Sequence, residues 1–374
     1  MTTSSPSSSS SSSPSSPDDP VLLRTEGRAA YLTLNRPKAL NALTHAMVRT
    51  IADALDAWES DPGIETVVLT GAGERGLCAG GDIRAIHQDA VTGGTATEDF
   101  WRDEYRLNAR IARLRTPYVA LMDGIVMGGG VGVSAHGTVR LVTERSRVAM
   151  PETGIGFVPD VGGTYLLGLA PGELGTHLAL TGLPVGAADA QLCGLADHFV
   201  PAEALPALRA ELAAAPVRDV LARHVRPAPP GELAGHRSWI DPCYAADTVE
   251  EIVDRLLAHG APEAEEAAAT LLTKSPTALK VTLTSLRRAR ALGPLERVLE
   301  QEYRVSCAAL RHPDLAEGIR AQVVDKDRNP RWAPTTPAGV TDEDVAAFFA
   351  PLGERELRLV PSPSPAESPT EVPW

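Results

Sequence analysis

The sequence predicts an α/β core over residues 21–200, followed by a mostly helical region over residues 201–354. Three observations predict it. Up to Val200, short β-branched runs alternate with stretches of 3.6-residue apolar periodicity. Glycines crowd the links between them, at 71–81 and 124–137. Beyond Pro201 nearly every segment carries helical spacing.

Residues 21–24 and 29–34 read as two short strands around Glu26-Gly27-Arg28, and Asn35-Arg36-Pro37 stops the second. A helix follows from Thr44, with Met47, Ile51, Leu55 and Trp58 on one face. Residues 65–70 form a β-branched run that reads as a buried strand, broken by Gly71-Ala72-Gly73. Residues 100–114 are helical, residues 118–122 after Pro117 read as a further strand, and 140–143 as another. Helical spacing returns after Gly162, and residues 195–200 look like the last core strand. In the second half, helices are expected at 203–214, 248–259, 263–272, 276–290 and 294–310, with 227–230 and 239–244 irregular. No internal repeat at a fixed period is visible.

Composition bounds the function. Of 374 residues, 43% are hydrophobic, enough for a sizeable core, and no apolar stretch is long enough for a membrane span. A net charge of −13 without a basic run argues against a nucleic-acid partner. Cys78, Cys193, Cys243 and Cys307 lie far apart with no CxxC spacing, which fits reduced thiols. The histidines, His45, His87 and His177 among them, show no metal-ligand spacing, so no metal is expected. Residues 1–20 are almost all Ser, Pro, Thr and Asp, and residues 355–374 are similarly aperiodic; both read as disordered tails. The first lacks an apolar segment and arginines, so neither a secretory nor a mitochondrial leader is read there, and a cytoplasmic location is the expectation.

Two motifs imitate known sites. Residues 71–76 match GxGxxG after a strand, but the glycines that follow, through Gly81, do not open a helix at once and no second strand stands at 91–97. Residues 132–136 approach GxSxG, but His136 occupies the place of the last glycine, so Ser134 is not read as a nucleophile. Two other glycine-rich segments, 78–82 and 127–132, each follow a strand and lead toward a helix. Backbone N–H groups at such places can point at a ligand oxygen and together make an oxyanion hole. The alternative is that these glycines only allow tight turns.

Three segments, LNRPKALNAL (34–43), CAGGDI (78–83) and Asp123-Gly124 through Gly128-Gly129-Gly130, resemble the signature blocks of the crotonase (enoyl-CoA hydratase/isomerase) superfamily in order and spacing. The resemblance covers residues 21–352. It implies an α/β fold in which ββα units form a spiral, followed by a helical C-terminal region. It implies that the N–H groups of Gly81 and Gly129 bind the thioester carbonyl of an acyl-CoA, with residues 35–42 near the nucleotide. It also implies homo-oligomers built through C-terminal helices, with nothing in the sequence choosing their size, and no cofactor beyond the CoA of the substrate.

Hydratases of that superfamily carry a Glu three residues after the middle glycine and another twenty residues later. Here these positions hold Gly132 and Glu152, so one of the two acids is missing. The stretch MPETGIGFVPDVGG (150–163) resembles instead the 3-hydroxyisobutyryl-CoA hydrolase branch. So do Glu104-Tyr105, Ser238-Trp239-Ile240, Ser275-Pro276-Thr277 and DKDRNP (325–330). The resemblance implies that Glu152 and Asp160 are the catalytic and substrate-binding carboxylates, and that Glu104 and Gly129 also line the acyl site. The expected reaction is thioester hydrolysis: Glu152 attacks the acyl carbon or activates a water, and Asp160 accepts a hydrogen bond from the 3-hydroxyl of the substrate. The competing expectations are a hydratase, isomerase or decarboxylase of the same fold, and a member that binds acyl-CoA without turnover.

Overall fold

The computed structural model describes residues 16–360. Its strands are β1 (Val21–Glu26), β2 (Ala29–Leu34), β3 (Thr66–Gly71), β4 (Gly76–Cys78), β5 (Tyr118–Met122), β6 (Ile125–Met127), β7 (Val139–Val142), β8 (Arg147–Ala149) and β9 (His198–Phe199). They form two sheets, ordered β1-β2-β3-β5-β7-β9 and β4-β6-β8. Only the β1–β2 hairpin is antiparallel; the other pairs are parallel. β3 and β5 are buried along nearly their whole length, as parallel strands covered on both faces must be.

The helices of the first half are α1 (His45–Glu59), α2 (Ile83–Thr92), α3 (Ala96–Ala112), α4 (Gly129–Ser134), α5 (Gly163–Gly168), α6 (Leu174–Thr181) and α7 (Ala187–Leu192). Thr44 caps α1, its side chain accepting from the Met47 N–H. A simple repeat organises this half. In β3–β4, β5–β6 and β7–β8, the first strand joins the large sheet and the second joins the small one. The chain then turns into α2, into α4, or into a 3-10 turn at Glu152–Ile155. This spiral is the architecture the resemblance implies. Its small parallel sheet aims the carboxyl ends of β4, β6 and β8 at one region, the place where parallel sheets present ligand sites.

The second half holds α8 (Leu205–Leu212), α9 (Val217–His224), α10 (Leu233–Tyr244), α11 (Val249–His259), α12 (Pro262–Leu271), α13 (Pro276–Leu292), α14 (Leu295–Ala309), α15 (Pro313–Ile319) and α16 (Asp342–Ala347). α8 and α9 cover the outer face of the large sheet, where Tyr31, Val68, Val119 and Leu141 pack with Leu208, Leu212 and Val220. The other face belongs to one continuous core that runs from Val21 to Leu357 and includes α10 to α14. α13 packs on α5, α14 on α3, and α15 on α2. Among the described residues no helix is long and apolar enough to cross a membrane, and all four cysteines are buried and free.

Several expectations need correction. Residues 239–244, expected to be irregular, complete α10 with Pro242 inside it. Trp239, Ile240, Cys243 and Tyr244 bury one helical face, which outweighs the cost of the proline, about 3 kcal/mol. The strand expected at 195–200 shrinks to His198–Phe199, which pairs with Leu141 and Val142. Residues 16–20 and 355–360, expected within disordered tails, are placed against the fold. Asn35 Nδ2 donates to the Pro17 and Asp19 carbonyls, Leu357 is buried, and Glu356 pairs with Arg304. Residues 1–15 and 361–374 lie outside the described residues.

Candidate active site

The three short strands of the small sheet end at Cys78, Met127 and Ala149, and within three residues each delivers a group to one cavity of about 340 Å³. After β4 comes Gly81. Leu43 pairs beside it, taking the Asp82 N–H on its carbonyl and giving its own N–H to the Gly80 carbonyl. Backbone groups alternate along an extended chain, so the Gly81 N–H faces the other way, into the cavity. After β6 comes Gly129, the first residue of α4, whose N–H is unpaired within the helix by geometry. Neither N–H has an acceptor among the described residues. They converge: a Cβ built on Gly129 would lie 3.4 Å from the Gly81 nitrogen. Gly128 before it has φ +50°, a conformation that favours glycine, and this turn aims the helix start at the cavity.

After β8 comes Glu152, opening the 3-10 turn and 6% exposed. Its Oε1 would lie 2.9 Å from a Cβ on Gly128, so its carboxyl stands beside the paired N–H groups. Its other oxygen has no partner among the described residues. Glu104 reaches the same point from α3, its Oε1 2.7 Å from the place of a Gly129 Cβ and also without a partner. Burial pushes both carboxyls well above the usual range, and the nearby Asp160 adds to the effect. Lys274 is the one cationic side chain among those lining the cavity.

Asp160 closes the constellation. Tyr105 donates to its Oδ2 at 2.7 Å and lies 2.7 Å from the Ser306 hydroxyl. Burial pushes Asp160 up to about 7, while the Tyr105 bond pulls the other way. The next residue, Val161, has φ +53°, which is strained for a β-branched side chain. Two groups, half-buried His136 and buried Glu302, hold the strain. Burial pushes His136 down to about 4, so its ring is neutral and Nε2–H donates to the Val161 carbonyl at 2.7 Å. Glu302 on α14 accepts from the Gly162 N–H at 2.6 Å and from the Thr164 N–H and hydroxyl at 2.9 and 2.5 Å. Burial pushes Glu302 up to about 8.

The structure therefore brings Gly81, Gly129, Glu104, Glu152 and Asp160 onto one cavity. The two decoys fall away. Residues 71–76 turn from β3 into β4 with no helix behind them, and the Ser134 hydroxyl donates to the Gly130 carbonyl inside α4. Asn41, from the first signature block, pins its loop by donating to the Ala72 and Gly76 carbonyls. Ser275 caps α13 and donates to Asp314. Asp325 and Asp327 pair with Arg320 at the end of α15, fixing the segment that carries Ile319 and Gln322 to the cavity. The sequence reading missed Glu302 and Lys274. Glu302 lies 140 residues from the Gly162 it holds, and no local pattern marks it.

The model of the enoyl-CoA hydratase/isomerase family matches residues 29–349. The chain belongs to that family. Relatives include 3-hydroxyisobutyryl-CoA hydrolases of mitochondria, 44% identical in Rattus norvegicus over 91% of both chains, and 41% identical in Homo sapiens over 91% of this chain and 90% of the other. Among solved structures, a carnitinyl-CoA dehydratase from Mycobacterium thermoresistibile superimposes with a TM-score of 0.89 at 56% identity, over 91% of this chain and 98% of that one. An enoyl-CoA hydratase from Rhodobacter sphaeroides gives 0.86 at 46% identity, over 91% and 99%. The family is one of acyl-CoA enzymes, and the relatives' names divide between thioester hydrolysis and hydration or dehydration.

Proposed function

We propose that this enzyme hydrolyses acyl-CoA thioesters bearing a 3-hydroxyl, with 3-hydroxyisobutyryl-CoA the expected substrate. One observation carries the reading: Glu152 stands beside the oxyanion hole, while the second hydratase acid is absent and its place is filled. A Cβ on Gly132 would lie 2.6 Å from Val161 Cβ and 2.9 Å from Asn108 Nδ2. The hydrolase relatives agree with it.

The Gly81 and Gly129 N–H groups hold the thioester oxygen where negative charge develops. Glu152 attacks the acyl carbon in its ionised form, which its raised carboxyl reaches only as pH rises; thiolate is a good leaving group and departs without much acid assistance. Water then cleaves the acyl-Glu152 anhydride. Asp160, whose Oδ2 already accepts from Tyr105, accepts from the substrate hydroxyl with its other oxygen, and a substrate without that hydroxyl fails to supply that second donor.

The second reading is hydration or dehydration of an acyl-CoA, favoured by the 56% identity to the dehydratase, with Glu152 and Glu104 as the acid-base pair. One assay separates them. Free thiol is followed with 3-hydroxyisobutyryl-CoA, isobutyryl-CoA and crotonyl-CoA, beside loss of the enoyl chromophore. The hydrolase reading expects rapid thiol release from the first substrate only, lost about 10³-fold or more in Glu152→Ala. Hydration of crotonyl-CoA without thiol release would establish the second reading instead.

A further inference from the structure

Asn108 is fully buried on α3, and neither its amide oxygen nor its nitrogen has a partner among the described residues. An amide left dry and unpaired costs several kcal/mol, so buried polar groups of this kind are met by protein or by water. No protein group among the described residues meets this one. Its position is specific. It lies one helical turn beyond Glu104 on the same face of α3, and Glu104 Oε1 is also unpaired. Its nitrogen occupies the space beside Gly132, one turn along α4 from the Gly128 that Glu152 touches. Glu104 lines the cavity and Asn108 lies behind it, out of direct reach of the substrate.

We propose that Asn108 is a positioning residue for the hydrolytic water, which it holds together with Glu104 against the first turn of α4. This rests on the hydrolase reading above, in its anhydride form. The water oxygen bonds to the acyl carbon. The bond from that carbon to the Glu152 oxygen breaks, and its electron pair returns to Glu152 as carboxylate. One water proton passes to ionised Glu104 and from there to the departed thiolate or to solvent; the other stays on the hydroxy acid until that acid ionises. Chain architecture accounts for the arrangement. Where a glutamate at position 132 would hold a water directly, Gly132 leaves the space to a side chain from the neighbouring helix.

The test is Asn108→Leu, nearly isosteric and unable to bind water, with Asn108→Ala as a second variant should leucine fail to pack. Thiol release is followed by rapid quench with 3-hydroxyisobutyryl-CoA. The expected result is a burst of about one thiol per site at the wild-type rate, then turnover about 100-fold slower. Acyl-Glu152 should accumulate in the quenched peptide map, and hydroxylamine should restore thiol turnover by capturing the acyl group. The variant should melt no lower than wild type, because replacing an unpaired buried amide by an apolar group of the same shape is close to neutral. Wild-type turnover in both variants, or slow thiol release without a burst in both, would overturn the proposal. If the wild type itself releases no thiol, the hydrolase reading has failed before Asn108 is tested.

Discussion

At the scale of single residues, the site depends on what is missing from two glycines. A methyl on Gly129 would sit 2.7 Å from Glu104 Oε1 and 3.4 Å from the Gly81 nitrogen, in the space that the proposed hydrolysis gives to the substrate oxygen. Gly129→Ala should therefore lower kcat by about 10² to 10³, the worth of an oxyanion-hole donor, while circular dichroism and the melting temperature stay near wild type. Gly132→Glu should behave differently. Its Cβ meets Val161 and Asn108 at 2.6 and 2.9 Å, and neither fully buried neighbour has room to move. The variant should be less stable by several kcal/mol and should gain no crotonyl-CoA hydration, read by calorimetry and by the enoyl absorbance. Gly81, Gly129, Glu104, Glu152 and Asp160 were legible in the sequence because each lies within a contiguous motif. Asn108 and Glu302 were not, because their neighbours across the cavity wall are set by helix packing that no local pattern records.

At the scale of elements, the small sheet does the aiming and the sequence barely announces it. β4, β6 and β8 have three residues each, too short for a period of two to show, and their pairing is a product of the spiral. The longer strands β2, β3 and β5 and helices α1 and α3 were readable because each repeats its pattern often enough. The turn from Asp160 to Thr164 shows the same dependence on distant packing. Val161 holds a left-handed conformation worth about 1–2 kcal/mol of strain, and α14 supplies the acceptor that keeps it there. Glu302→Ala removes that acceptor from Gly162 and Thr164. Freed of it, the turn should relax and carry Asp160 away from the substrate hydroxyl. The expected outcome is a fall of about 10-fold in the preference for 3-hydroxyisobutyryl-CoA over isobutyryl-CoA, measured as the ratio of kcat/KM values. Oxyanion-hole chemistry should survive, so the isobutyryl-CoA rate should change less.

At the scale of the whole molecule, the carboxyl cluster ties stability to pH. Unfolded, Asp160 and Glu302 would release their protons near pH 4. Folded, burial raises them to about 7 and about 8, and raises Glu104 and Glu152 as well. Over the interval the folded state binds more protons than the unfolded one, so stability falls as pH rises, by about 1 kcal/mol per pH unit for each such group. That contribution is complete below about pH 4 and is lost as pH passes the folded values. Glu173 works in the opposite sense. Burial opposes its ionisation, but hydrogen bonds from Thr176, Arg287 and Arg290 hold it below the usual range, so its contribution is lost in acid. Thermal unfolding should therefore show a maximum near pH 4 to 5, where the raised carboxyls still hold their protons and Glu173 is already ionised, and a decline toward pH 9, at constant ionic strength. Glu302→Gln separates this from general alkaline damage. The amide offers one acceptor oxygen where Glu302 offers two, so at pH 6 the variant should melt below wild type. It cannot ionise, so its decline above pH 7 should be shallower and the two curves should converge. Parallel curves would mean that Glu302 is already ionised in the fold, held so by the donors from Gly162 and Thr164 against the cost of burial.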